Sequence, residues 1–207
     1  MYSYLKCSLS FHKVCIFILG RRKVSLQQHD VSELVTIFNS LFNESESTEL
    51  VTGAKEPLYL PSSKPDGLHQ VISTLDYFSS ALHEISHWCI AGESRRKLVD
   101  FGYWYEPDGR TASQQRDFEK VEIKPQALEW LFAQACSIKF RLSVDNVSQS
   151  SVGASEEFQV SVVEQVHHYM EQGLPRRAAL FLNALQQKFQ VNGQKLEKTA
   201  FSLSQLA

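Results

Sequence analysis

The chain has little of what marks several large functional classes. It contains four cysteines, Cys7, Cys15, Cys89 and Cys136, and no two of them form a C-x-x-C pair. That argues against a zinc ribbon and against a disulfide framework; reduced thiols in a cytoplasmic protein fit best. Basic residues are not in excess. Lys and Arg number 21 against 23 Asp and Glu, a formal net charge of −2, and no long block of like charges occurs. A direct nucleic-acid-binding role is therefore not expected. Long hydrophobic runs are missing too. The longest clean one, Val14 to Leu19, is too short to span a bilayer. His12 and Lys13 interrupt the apolar N-terminal stretch, and the basic cluster Arg21-Arg22-Lys23 follows it rather than preceding it, which is not the layout of a signal peptide. No membrane role is expected. Residues 1–25 read as an N-terminal extension. There are no repeats and no low-complexity tracts.

Hydrophobic residues make up 43% and charged residues 21%, enough for a packed core. The 207 residues suit one domain, placed at 26–192 and followed by a C-terminal tail, 193–207, whose last fifteen residues are expected to fray. The pattern predicts an α+β fold, a small mixed sheet with several helices. Asp30 reads as an N-cap with Glu33 as its capping-box partner. Leu34, Ile37, Phe38, Leu41 and Phe42 follow at helical spacing, so 31–43 is a helix. NESESTE, 43–49, reads as loop. Strands are expected at 56–62 and 69–75. A central helix runs from Asp76 to Gly92, with Phe78, Leu82, Ile85 and Cys89 as its core stripe. Residues 99–109 read as strand then turn, and 140–144 as a strand. A helix opens near Pro125, burying Ala127, Leu128, Leu131, Phe132 and Ala135, with 115–124 a separate helical turn before it. Two more helices are expected at 155–172 and 175–189.

The central helix carries chemistry. ALHEISHWCIAG, 81–92, holds His83, Glu84 and His87 as H-E-x-x-H. Residues i and i+4 of a helix stand one above the other, with Cβ atoms about 5–6 Å apart. Two imidazoles so placed can share one metal ion at roughly 2.0–2.1 Å. Glu84 projects about 100° from His83 and is placed to handle a proton beside the metal. A buried, satisfied histidine pair would fit the motif equally well, but the wheel opposes it, because both histidines lie opposite the apolar stripe. An empty, solvated pair would look the same in sequence.

A third ligand is required. The long metalloprotease pattern would place Gly at 90 and His at 93; here stand Ile90 and Glu93, and an unbroken helix carries Glu93 out of reach. The remaining carboxylates are Glu119, Glu122 and Glu129 in DFEKVEIKPQALEW. Glu122 stands just before the expected helix start at Pro125, where a chain turns and can aim one side chain sharply, and Glu129 is expected to face solvent. Two His and one carboxylate suit non-haem Fe(II) with O₂, and equally a catalytic zinc hydrolase, either peptidase or ribonuclease. Ligand identity does not separate the two. A non-enzymatic binding protein is a third reading, in which the histidines are merely exposed.

HEISHWCIAG, then RRKLVDFGYWYEPDGR, then FEKVEIKPQALEWLF, with LVTIFNSLF and EPLYLP upstream, resemble the bacterial elongation factor P hydroxylase family. The resemblance spans roughly residues 29 to 188. It implies a hydroxylase of the β-lysylated lysine of elongation factor P, with Fe(II) and O₂. It also implies His83 and His87 as metal ligands, a carboxylate from FEKVE as the third, Glu122 with Glu119 as runner-up, and a fold like that of a ribosome-maturation endoribonuclease. No 2-oxoglutarate signature accompanies it, so the reductant stays open. On this reading Glu84 is catalytic, while Asp100, Tyr103, Trp104, Tyr105 and Asp108, with Glu106, are candidates to hold the substrate. Arg95, Arg96 and Lys97 are either a solvated helix end or a docking patch for an acidic partner.

Overall fold

The computed structural model describes residues 29–100, 110–144, 154–190 and 196–206. Helix α1, Val31–Phe42, leads into strand β1, Thr48–Ala54; β2, Leu58–Leu60, and β3, His69–Thr74, follow. The sheet order is β1-β3-β2. β1 runs parallel to β3 with Leu50 opposite Val71, and β2 pairs antiparallel to β3. This is the small mixed sheet of an α+β fold. Leu50 and Val71 are buried because alternate residues of a strand face one side, and that side meets the helices. The β1–β3 register shifts between Val51 and Ala54. There Gly53 takes φ 90°, in the left-handed region, and donates its N–H to the Leu75 carbonyl at 2.9 Å. A Cβ would strain that conformation.

Helix α2, Phe78–Ile90, lies between sheet and helices. Leu82, Ile85 and Cys89 are buried, as the apolar stripe requires, and Phe78 packs against the core partly covered. A cluster of aromatic rings fixes α2 to α1 and α5, Arg176–Phe189. Trp88 meets Phe38 at 4.9 Å and Phe42 at 4.8 Å between centroids, and Phe38 meets Phe181 at 6.2 Å. Phe38, Phe42 and Phe181 are fully buried, each worth about 1.5–3 kcal/mol in transfer alone. Helix α3, Ala112–Ala135, packs on α2, on α5 and on α4, Glu156–Gln172.

Several expectations need correction. Residues 48–54, partly read as loop, form β1; the polar run before them hides a strand whose buried positions are Thr48 and Leu50. Asp30 does cap α1, accepting from Ser32 N at 2.9 Å, but Glu33 does not complete a capping box; its carboxylate pairs with Lys188 of α5 at 2.8 Å. The capping box occurs instead at α3, between Thr111 and Gln114. With its first turn secured there, α3 runs unbroken through Pro125. The proline removes only the bond to the Val121 carbonyl, and Val121 lies at an exposed position, where water can serve that group. Asp76 does not cap α2; Tyr77 holds the N-cap position without a side-chain bond. Residues 140–144 are irregular rather than a strand, because Gln126 takes the Ser143 backbone through both amide ends, at 2.7 and 3.0 Å. The tail docks. Phe201 is 1% exposed and lies edge-on to Trp130, with its carbonyl 2.9 Å from His167 Nε2; the short helix α6, Leu203–Leu206, follows. Among the described residues no helix is long and apolar enough to cross a membrane.

Candidate metal centre

α2 ends in a charged clamp. After the last intrahelical bond, from Ala91 N to the His87 carbonyl, the following carbonyls have no helical partner. Arg177 of α5 serves them. Its Nη2 lies 2.9 Å from the Trp88 oxygen, 3.3 Å from that of Cys89 and 2.5 Å from that of Ala91. Its guanidinium also stacks 4.5 Å over the Trp88 ring. Glu46 neutralises this cation and Arg96, at 3.6 and 3.0 Å, and also pairs with Arg176.

With α2 so held, His83 and His87 project toward α3. Their Nε2 atoms face each other at 3.1 Å. Glu122 Oε1 lies 3.2 Å from His87 Nε2, and its Oε2 lies 3.7 Å from His83 Nε2. The three side chains thus present one donor atom each, all within 4.8 Å of one another. Donors held at roughly 2.0–2.1 Å from one ion stand about 2.8–3.4 Å apart in octahedral or tetrahedral sites; the spacings of 3.1 and 3.2 Å fall in that range and the 3.7 Å spacing lies just beyond it. The residues fit a divalent ion bound by two imidazoles and a carboxylate.

The surrounding groups polarise the cluster. Burial would raise the Glu122 pKa, but His87, then His83 and a bond from Gln126, draw it down to about 2. Gln126 Nε2 reaches Glu122 Oε2 at 3.2 Å. Burial opposes protonation of His83, yet Glu129, Glu122 and Glu84 together hold its pKa well above the usual imidazole value. Burial raises Glu84, against the pull of His83 and His87.

Each candidate now has a place. Glu119 is away from the cluster and bonds Ser155, the N-cap of α4, through its hydroxyl at 2.7 Å. Glu129, expected in solvent, is 7% exposed, and its Oε2 lies 2.8 Å from His83 Nδ1. The face of α3 that carries Glu129 meets α2 rather than solvent. On a continuous helix Glu122, Gln126 and Glu129 fall on one face, at i, i+4 and i+7, and that spacing is the signal the sequence carries. Glu93 pairs with Lys97 at the surface. Arg95 pairs with Asp100 at 2.5 Å and Arg96 with Glu46, so this basic run is not simply solvated. Asp100 also bridges to Tyr59. Tyr103, Trp104, Tyr105, Glu106 and Asp108 lie outside the described residues.

Two cavities meet at Glu84. A groove of about 560 Å³ opens onto His83, Glu84 and Glu129, with Tyr77, Ser79 and Arg141 among its walls. A smaller cavity of about 40 Å³, on the His87 side, is walled by Leu58, Val71 and Trp88.

Known proteins resemble the chain over most of its length. Residues 37–201 match the family model described as Elongation factor P hydroxylase. A protein of Haemophilus influenzae named Elongation factor P lysine hydroxylase is 48% identical over 158 residues, 76% of this chain and 88% of that relative.

Proposed function

The chain belongs to the elongation factor P hydroxylase family, and on that premise we propose that it is a cytoplasmic non-haem iron monooxygenase acting on the β-lysylated lysine of elongation factor P. The observation that carries the metal part is the convergence of His83 Nε2, His87 Nε2 and one Glu122 oxygen. Two imidazoles and one carboxylate leave open positions on an ion, as non-haem Fe(II) oxygenases require. Iron held there supplies the chemistry that activates O₂. The balance of the reaction is that of a monooxygenase: one oxygen atom enters a C–H bond of the lysine side chain. The other leaves as water, which takes two electrons and two protons from an external reductant.

The protein's own groups do the remaining work. The groove beside His83 has the size typical of ligand sites, about 300–1,000 Å³, and admits a long side chain from a partner protein. It is lined by Glu84 and Glu129 beside Lys139 and Arg141, and Tyr77 at the wall supplies an aromatic face for the ammonium groups of a lysyl-lysine. Glu84, drawn toward its protonated form by burial, is placed to pass a proton at the edge of the cluster.

The test is the intact mass of β-lysylated elongation factor P after aerobic incubation with Fe(II)-loaded protein and a reductant. The expected result is a gain of one oxygen atom, lost in Glu122→Ala. No gain under varied reductants would overturn the oxygenase reading. Anaerobic cleavage of a peptide or RNA by zinc-loaded protein would instead favour a hydrolase on the same helix.

A further inference from the structure

Glu129 is a buried carboxylate that the ligand set leaves over. Burying a carboxylate is unfavourable unless a donor or a cation answers it. Among the described residues no lysine or arginine pairs with Glu129; its ion-pair partner is His83, at 2.8 Å from Nδ1. The other nitrogen of the same ring, Nε2, is the atom that faces His87 and Glu122. A neutral imidazole carries one N–H and one lone pair, and the partner of one nitrogen decides the role of the other. A carboxylate only accepts, so Glu129 demands the N–H at Nδ1 and leaves the lone pair at Nε2.

We propose that Glu129 is a positioning residue of the metal centre: by holding the Nδ1–H of His83 it fixes the tautomer and ring plane that aim Nε2 at the ion. This rests on the metal reading above and not on the oxygenase reading. The support is rigid. Glu129 lies on the same face of α3 as Glu122, two helical turns on, so one helix supplies both the third ligand and the acceptor that orients the first. Gln126, between them on that face, donates to Glu122 and to the Ser143 carbonyl. Partners of this kind orient metal-bound histidines generally, and their loss weakens metal affinity.

The experiment titrates full-length metal-free protein with Co²⁺, reading affinity by chelator competition and site geometry by the visible absorption of the bound ion. Wild type is compared with Glu129→Leu, Glu129→Gln and Glu119→Gln, and the melting temperature of each metal-free protein is recorded. Glu129→Leu is expected to weaken Co²⁺ roughly 10–100-fold and to change the spectrum. In a His83→Ala background the same change should add no more than about twofold, because the effect runs through that ring. Glu129→Gln, whose amide oxygen still accepts from Nδ1, should stay within about fivefold of wild type with an unchanged spectrum. Glu119→Gln should not differ from wild type.

An affinity of Glu129→Leu within about twofold of wild type, or a loss that persists undiminished without His83, would overturn the inference. If Glu129→Leu does not fold, Glu129→Gln decides; a loss of about tenfold or more there, with the melting temperature unchanged, overturns it too. Wild-type protein that takes no cobalt overturns this inference together with the metal reading. The titration needs neither O₂ nor elongation factor P, so a failure of hydroxylation is read separately.

Discussion

Replacing Arg177 by Met should unfasten the C-terminal end of α2. Arg177 is 9% exposed, and its guanidinium supplies donors to the carbonyls of Trp88, Cys89 and Ala91. One nitrogen shared among three oxygens amounts to about two full bonds, and a hydrogen bond to a charged group contributes about 1.5–3 kcal/mol. Stacking over Trp88 adds about 0.5–2 kcal/mol. Against this, the variant no longer has to bury a guanidinium, whose desolvation is a real cost. Methionine also refills much of the volume. The net expectation is a loss of about 3–4 kcal/mol. For a domain of this size that is roughly 6–16 °C in melting temperature. Arg177→Lys keeps a donor but not the planar stack, and should lose about half as much. Equilibrium unfolding in guanidinium chloride, with metal-free protein, measures both. A loss under about 1 kcal/mol for Arg177→Met would show that water serves these carbonyls equally well and that the clamp contributes little.

Three further outcomes are expected. Ser79 is an exposed groove residue, so Ser79→Trp should abolish hydroxylation of elongation factor P while leaving Co²⁺ affinity unchanged; full activity would place the substrate's route elsewhere. Burial pushes the Cys136 thiol up to about 12, which leaves on the order of one thiolate in 10⁴ at pH 8. In a Cys7→Ser, Cys15→Ser background, a thiol reagent should therefore label the protein only as it unfolds, and rapid labelling of native protein would contradict that burial. Phe201→Ala, which empties a fully buried site against Trp130, should cost about 3–5 kcal/mol; calorimetry showing no change would mean that the tail adds nothing to the core.

Local rules made most of the helices and the H-E-x-x-H motif legible. The stripe of Leu82, Ile85 and Cys89 and the opposed pair His83 and His87 follow from 3.6-residue periodicity alone, which any helix must obey. The strand at 69–74 follows from its β-branched run. Where the reading failed, a local signal met a stronger distant one. Pro125 is a good first-turn residue, yet the capping box at Thr111 starts α3 earlier and places Glu122 on the same helix as Glu129. FRLSV has the composition of a strand, but the amide of Gln126 occupies its backbone. The polar tail buries Phe201 because Trp130 waits on α3.

The sequence by itself determined that two imidazoles share one helical face, since spacing along a helix is fixed by backbone geometry. It also narrowed the candidates for a third ligand to a few carboxylates in one segment. Only the tertiary structure decided which of them meets the histidines, because that depends on how α3 is rotated against α2. The packing of these two helices turns Glu122 toward Nε2 and Glu129 toward Nδ1, and leaves Glu119 to Ser155. No periodicity within either helix encodes that rotation; it is set by the side chains buried between them.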